Sequence, residues 1–99
     1  ETAFAGGLGA AVSLQAMVRR SELQRSDWAL FAESNSRFVV EVIPANEAAF
    51  RTAFAGLPCA LIGEVTAAPR LQIRGLTDEP LVDEPIDTLK RSWQETLRW

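Results

Sequence analysis

The sequence predicts an α+β fold, a mixed or antiparallel sheet with helices packed on it, and three observations predict it. Runs rich in β-branched and aromatic residues, such as Phe38-Val39-Val40-Glu41-Val42-Ile43, lie beside segments with apolar residues at helical spacing, such as Ile86, Leu89, Trp93 and Leu97. The two kinds of segment follow one another irregularly, unlike the regular alternation of a doubly wound parallel sheet. A chain of 99 residues that is 47% hydrophobic and 23% charged suits one domain with a core of its own.

Glu1-Thr2-Ala3-Phe4-Ala5-Gly6-Gly7 reads as the last turn of a helix closing on a glycine cap. A helix that starts in its own last turn, behind Glu1 and not an initiator Met, gives the expectation of a single domain over residues 1–99, truncated at its N-terminus and part of a longer polypeptide. Ala11-Val12-Ser13-Leu14 is a strand candidate, and the polar stretch 15–27 holds one candidate helical turn at Ser21-Glu22-Leu23-Gln24. Trp28-Ala29-Leu30-Phe31 and residues 38–43 are apolar and flank the turn-forming Glu33-Ser34-Asn35-Ser36, which predicts a hairpin.

Pro44 cannot donate to a ladder and ends that strand. Asn46 can cap a helix over residues 47–55, where Phe50, Ala53 and Phe54 recur at i, i+3 and i+4; Gly56 supplies its left-handed cap and Pro58 prevents continuation. Cys59-Ala60-Leu61-Ile62-Gly63-Glu64-Val65 has the pattern of a strand buried on both faces, and the weaker strand Leu71-Gln72-Ile73 is expected to pair with it through a turn at residues 67–70. The spacings of Ile86, Leu89, Trp93 and Leu97 give a terminal amphipathic helix, with Asp87 and Arg91 placed as an i,i+4 pair.

Composition excludes several functions. Ten Lys and Arg against thirteen Asp and Glu give a net charge of −3, the opposite of the basic footprint that neutralises a phosphate backbone, so no nucleic-acid partner is expected. No apolar run approaches the roughly 20 residues of a membrane span, and no signal-peptide pattern is present, so no membrane partner and a cytoplasmic location are expected. The lone Cys59 cannot form an internal disulfide, which fits a reducing compartment. With no His and one Cys, the chain by itself cannot build a Cys/His zinc site or a His-activated nucleophile.

Glu33-Ser34-Asn35-Ser36-Arg37 is the densest polar constellation. Two hydroxyls, backbone N–H groups and a planar guanidinium can face an anion, with Ser34, Ser36 and Arg37 as ligand- or phosphate-binding candidates and Glu33 orienting Arg37. The same residues can instead simply make a tight turn, with Glu33 paired to Arg37 across it. Gly6, Gly7 and Gly9 follow a helix and precede a strand, the reverse of a phosphate-cradling loop, and so read as cap and turn. Asp78-Glu79 and Asp83-Glu84 supply oxygen ligands of the kind Mg²⁺ uses, but flanking prolines favour a solvated acidic loop before a helix, and no metal ligand is assigned. Three Trp and five Phe without a basic patch read as core.

Glu1-Thr2-Ala3-Phe4-Ala5-Gly6-Gly7-Leu8-Gly9-Ala10, residues 30–42 around Glu33-Ser34-Asn35-Ser36-Arg37-Phe38, Ile62-Gly63-Glu64-Val65-Thr66 and the final Leu89, Trp93, Leu97 helix resemble the C-terminal domain of phosphoribosylformylglycinamidine synthases, within the aminoimidazole ribonucleotide synthetase-like superfamily. The resemblance implies a purine-synthesis amidoligase that turns formylglycinamide ribonucleotide, ATP and glutamine-derived ammonia into formylglycinamidine ribonucleotide, ADP and phosphate. It implies ATP and Mg²⁺ in the intact enzyme and none in the piece, which is expected to be inactive alone. Implied partners are sister domains of the same chain and a glutaminase subunit or domain, with self-association of the piece through exposed apolar surface. Two departures stand out: Ala32 occupies the place of a family Ser, and the segment that opens the domain's first helix is absent. Alternatives are a fragment of a related enzyme, such as aminoimidazole ribonucleotide synthetase, thiamine-monophosphate kinase or a selenophosphate synthetase-like protein, or a non-catalytic interaction or dimerisation domain.

Overall fold

The structure, a computed structural model, describes residues 1–19 and 21–98. Arg20, inside the polar stretch 15–27, and Trp99, one of the three tryptophans expected in the core, lie outside the described residues. Helix α1 (Thr2–Gly6) leads into β1 (Gly9–Ser13) and a 3-10 turn at Leu14–Ala16; α2 (Ser26–Phe31) follows. A second 3-10 turn at Pro44–Asn46 opens α3 (Glu47–Ala53), and β2 (Gly63–Thr66), β3 (Arg70–Arg74), β4 (Pro80–Pro85) and α4 (Ile86–Thr96) complete the chain.

The four strands form one mixed sheet in the order β2-β1-β3-β4, so the expected α+β architecture is present. β1 runs antiparallel to β2, with Ala10 opposite Val65, and parallel to β3, with Val12 opposite Ile73. β3 runs antiparallel to β4, with Ile73 opposite Val82 and an irregularity between Ile73 and Arg74. Paired residues share a face. Ala10, Val12, Val65, Leu71, Ile73 and Val82 therefore line an apolar face, and Ala11, Glu64, Gln72 and Asp83 a polar one. Leu14, Ala29 and Leu76 make the buried cluster, with Val12, Ile73 and Leu30 packed against it. Helix α4 starts at the buried Ile86 and meets α1 through Phe4 and Trp93, whose ring centroids are 6.0 Å apart.

Several expectations are met. Gly7, at φ 72°, is the left-handed cap of α1, Gly56 is also left-handed at φ 83°, and α3 and α4 lie where the apolar spacing places them. Asn46 occupies the N-cap of α3 although its side chain makes no capping hydrogen bond.

Others are corrected. Residues 28–31 are helical, so the expected hairpin with residues 38–43 does not form. Burial of Ala29 against Leu14 and Leu76 overrides the strand propensity of Trp28 and Phe31, and Asp27 in the first turn favours the helix electrostatically. Residues 38–43 belong to no strand and are largely exposed, Phe38 at 83% and Val39 at 84%. The strand expected over residues 59–65 shortens to Gly63–Thr66, stands at the edge of the sheet and is not buried on both faces, Gly63, Glu64 and Val65 all being exposed. β3 does not pair with it through residues 67–70, since β1 lies between the two. The acidic residues Asp83 and Glu84 stand in β4, with Pro80 and Pro85 at its ends, where a missing donor is tolerated on an edge strand. Residues 21–24 form no helical segment, a turn being present only at residues 21 and 22, and no ion pair joins Asp87 to Arg91 among the described residues. Trp28, Phe31, Phe38, Phe54 and Trp93 are exposed and not core.

The accessible surface is 7932 Å². A folded chain of this mass typically exposes about 5,600 Å². The radius of gyration, 14.8 Å, likewise exceeds the roughly 13 Å usual for this length.

Candidate functional site

Residues 33–37 leave the C-terminal end of α2, and their geometry follows from how that helix ends. The last carbonyls of a helix lack partners within it and attract cations. Arg37 supplies one: its Nη1 donates to the Ala32 carbonyl at 3.0 Å, and its Nη2 donates to the Ala29 carbonyl and lies 3.1 Å from the Met17 sulfur. Ser36, at φ 61°, adopts the left-handed region that is uncommon for a residue with a side chain, and this bend folds Arg37 back onto α2.

The structure thus brings Glu33, Ser34, Ser36 and Arg37 into one exposed turn. No ion pair joins Glu33 to Arg37 among the described residues; the α2 carbonyls hold the guanidinium instead. Ser34 and Ser36 are exposed, and the guanidinium of Arg37 already serves the helix terminus.

At the opposite end of α2 stands a cluster the sequence did not reveal. Arg25 forks onto Asp27 with contacts of 3.0 and 2.6 Å and lies 5.0 Å from the centre of the Trp28 ring. Hydrogen bonding raises the Arg25 pKa and lowers that of Asp27. Ser26 Oγ donates to Glu79 and accepts from the Leu76 N–H at 3.0 Å. Glu79 also accepts from the Thr77 N–H at 2.9 Å and the Thr77 hydroxyl at 2.6 Å. Those hydrogen bonds, Ser26 first and Thr77 second, hold the Glu79 carboxyl down at about 2. The only local signal for this was the Thr77-Asp78-Glu79 spacing, because Ser26 lies 53 residues away in sequence.

Two further acidic residues, Asp78 and Asp83, are engaged by arginines. Arg74 binds Asp78 at 2.6 Å, which raises the Arg74 pKa and lowers that of Asp78, and Arg70 pairs with Asp83 across β3 and β4. No group of three or more His, Cys, Asp or Glu able to hold a metal ion occurs among the described residues. A cavity of about 510 Å³ lies against the sheet, lined by Ser13, Leu61, Glu64, Gln72 and Arg74 among others, and none of Glu33, Ser34, Ser36 or Arg37 lines it. No helix among the described residues is long and apolar enough to cross a membrane.

With a mixed sheet, flanking helices and this turn in place, the class of the domain is defined: the chain belongs to the family described as AIR synthase related protein, C-terminal domain, whose model matches residues 1–75. It is 37% identical over 98 residues to the phosphoribosylformylglycinamidine synthase subunit PurL of Deinococcus radiodurans, an alignment covering 99% of this chain and 13% of that protein. The subunit of the same name from Synechococcus elongatus is 38% identical over 96 residues, 94% of this chain and 12% of that protein. The resemblance read from the sequence is therefore borne out, and the chain spans about an eighth of the length of these relatives. No solved structure matches the chain significantly.

Proposed function

We propose that the chain is the C-terminal-type domain of a phosphoribosylformylglycinamidine synthase and serves that enzyme in purine synthesis. The intact protein would convert formylglycinamide ribonucleotide, ATP and glutamine-derived ammonia to formylglycinamidine ribonucleotide, ADP and phosphate. The observation that carries this reading is 37% identity to a synthase subunit across 98 of the 99 residues.

In this reading the protein is cytoplasmic, its sister domains pack on the exposed apolar surface, and a glutaminase subunit or domain supplies ammonia. ATP and Mg²⁺ are held outside this chain, and the chain alone is not catalytic. Supporting that division, Asp78 and Asp83 are each engaged by an arginine and Arg37 by helix carbonyls, which leaves no free cluster for a nucleotide–metal pair among the described residues. The turn with Glu33, Ser34 and Ser36 contributes a wall of the ligand-bearing cleft, and Arg37 holds its shape. Separated from sister domains, the chain associates with itself.

The test is to purify the longest protein that contains this chain in frame and measure ADP release with ATP, Mg²⁺ and ammonium. Release that requires formylglycinamide ribonucleotide supports the reading. Release that ignores this substrate but requires another phosphoryl acceptor overturns it in favour of a related superfamily enzyme.

A further inference from the structure

We propose that Asn35 is a site of spontaneous deamidation, in which the backbone nitrogen of Ser36 displaces the side-chain amide and leaves aspartate and isoaspartate in the turn that holds Arg37. The reaction is independent of the synthase chemistry.

The chain has two asparagines, Asn35 before Ser36 and Asn46 before Glu47, and both are exposed. What separates them is the N–H of the following residue. Asn46 closes the Pro44–Asn46 turn, and the Glu47 N–H donates to the Pro44 carbonyl as α3 begins. Among the described residues the Ser36 N–H donates to no backbone carbonyl, and the backbone N–H groups that donate to side chains are those of Leu76 and Thr77. A bonded N–H must give up its acceptor before it can react, which costs free energy. The Ser36 nitrogen has no such bond to break.

The step balances without an oxidant or a metal. The Ser36 nitrogen loses its proton and bonds to Asn35 Cγ; the bond from Cγ to the amide nitrogen breaks, and ammonia leaves with that proton. The five-membered succinimide that results takes up one solvent water at either carbonyl and opens to aspartate or to isoaspartate.

The neighbouring residues favour Asn35. Ser36 has a short side chain that leaves its nitrogen open to attack, whereas Glu47 sets a longer side chain and a negative charge beside the nitrogen that must lose a proton. Asn side chains fold readily onto nearby backbone in turns, and Asn35 and Ser36 form a turn outside any helix or strand.

The product changes the turn. Hydrolysis adds one negative charge to a chain whose net charge is −3. Isoaspartate also adds a methylene to the main chain just before the left-handed bend at Ser36, from which Arg37 folds back onto the carbonyls of Ala29 and Ala32. The altered turn therefore holds Arg37 less firmly on α2.

Tryptic cleavage after Arg25, Arg37 and Arg51 puts Asn35 on peptide 26–37 and Asn46 on peptide 38–51, so one digest reads both sites. The 99-residue chain is incubated in mildly alkaline buffer, folded and in guanidinium chloride, and each peptide is followed for conversion of amide to acid and for isoaspartate, with an isoaspartyl methyltransferase as the probe. In the folded chain Asn35 is expected to convert about as fast as in denaturant, at a rate that rises with pH and with isoaspartate among the products. Asn46 is expected to convert more slowly in the folded chain than in denaturant by on the order of tenfold or more, because the start of α3 must open first. Ser36→Gly, which suits the φ of 61°, speeds conversion several-fold, and Asn35→Gln abolishes it. Wild type carrying the modification unfolds at lower urea than fresh protein, whereas Asn35→Gln incubated alike does not. Conversion of Asn35 that is much slower in the folded chain than in denaturant, acid formed without isoaspartate, or equal conversion of Asn46 in the folded chain overturns the proposal. Modified protein as stable as fresh protein overturns the loosening of Arg37 while the site stands.

Discussion

Ser26 and Glu79, 53 residues apart, join the N-terminus of α2 to the turn between β3 and β4, with the Ser26 hydroxyl donating to the carboxylate while accepting from the Leu76 N–H. Leu76 is one of only four buried apolar residues among those described, so this hydroxyl anchors α2 beside the small core. Ser26→Ala removes the acceptor for the Leu76 N–H and one donor to Glu79 together. Leaving such groups unpaired costs about 1–3 kcal/mol. For a domain of this size each kcal/mol lowers Tm by roughly 4–8 °C, and the expected loss is checked by thermal unfolding followed by circular dichroism.

Acid is expected to loosen the same joint. Glu79 has an ordinary pKa of 4.5 and is held at about 2 in the folded chain. Above the ordinary value both states are ionised and its stabilisation is complete. Below it the unfolded chain takes up a proton that the folded chain refuses, so stability falls as pH drops from 4.5 to about 2. Asp27 and Asp78 are also lowered from 3.8 and act in the same direction. Urea midpoints of the wild type and of Glu79→Gln across this range separate the contributions. The variant is expected to be less stable near neutrality and to show a shallower acid slope; equal slopes would show that Glu79 carries none of the linkage.

Arg37 is expected to behave as a helix-terminus cation. Arg37→Ala frees the carbonyls of Ala29 and Ala32 and should cost about 0.5–1.5 kcal/mol. Arg37→Lys should recover only part of this, because an ammonium cannot span both carbonyls as the planar fork does. The readout is the urea midpoint together with the emission of Trp28, which lies in α2.

Calorimetric titration of ATP, ADP or phosphate into the wild-type chain is expected to give no saturable heat, since the Arg37 donors are already on carbonyls. Saturable binding that vanishes in Arg37→Ala would instead show that the guanidinium leaves α2 for an anion, and that the turn binds ligand without sister domains.

What the sequence disclosed depended on whether the deciding force was local. Apolar spacing places α4, and Gly7 and Gly56 mark two left-handed positions, because one helix face and one backbone angle are properties of a few adjacent residues. Trp28 and Phe31 misled, since their strand propensity is weaker than the pull of Ala29 into a cluster built from Leu14 and Leu76. The position of β1 between β2 and β3 is a nonlocal choice that no short window contains. At the candidate turn the residues were legible but not the partner of Arg37: Glu33 competes with helix carbonyls that exist only once residues 28–31 are helical.

Glycine substitutions discriminate a close approach from a spare conformational freedom. Gly9 is buried at the start of β1, where an added Cβ would overlap the carbonyl oxygens of Ala68 and Arg70 and the Thr66 hydroxyl. Backbone atoms cannot swing aside as a flexible side chain can, so Gly9→Ala must part β1 from residues 66–70. Overpacking of this kind costs about 1–3 kcal/mol, and more where backbone must move. Gly6 ends α1, and a methyl added there would meet no atom within 4 Å, so Gly6→Ala is expected to be neutral or to stabilise by up to about 1 kcal/mol through the unfolded chain. Urea unfolding of the two variants side by side checks the pair. If Gly9→Ala were as stable as Gly6→Ala, the approach of residues 66–70 to β1 would be looser than the structure has it, and the glycines after α1 would need another reason to be there.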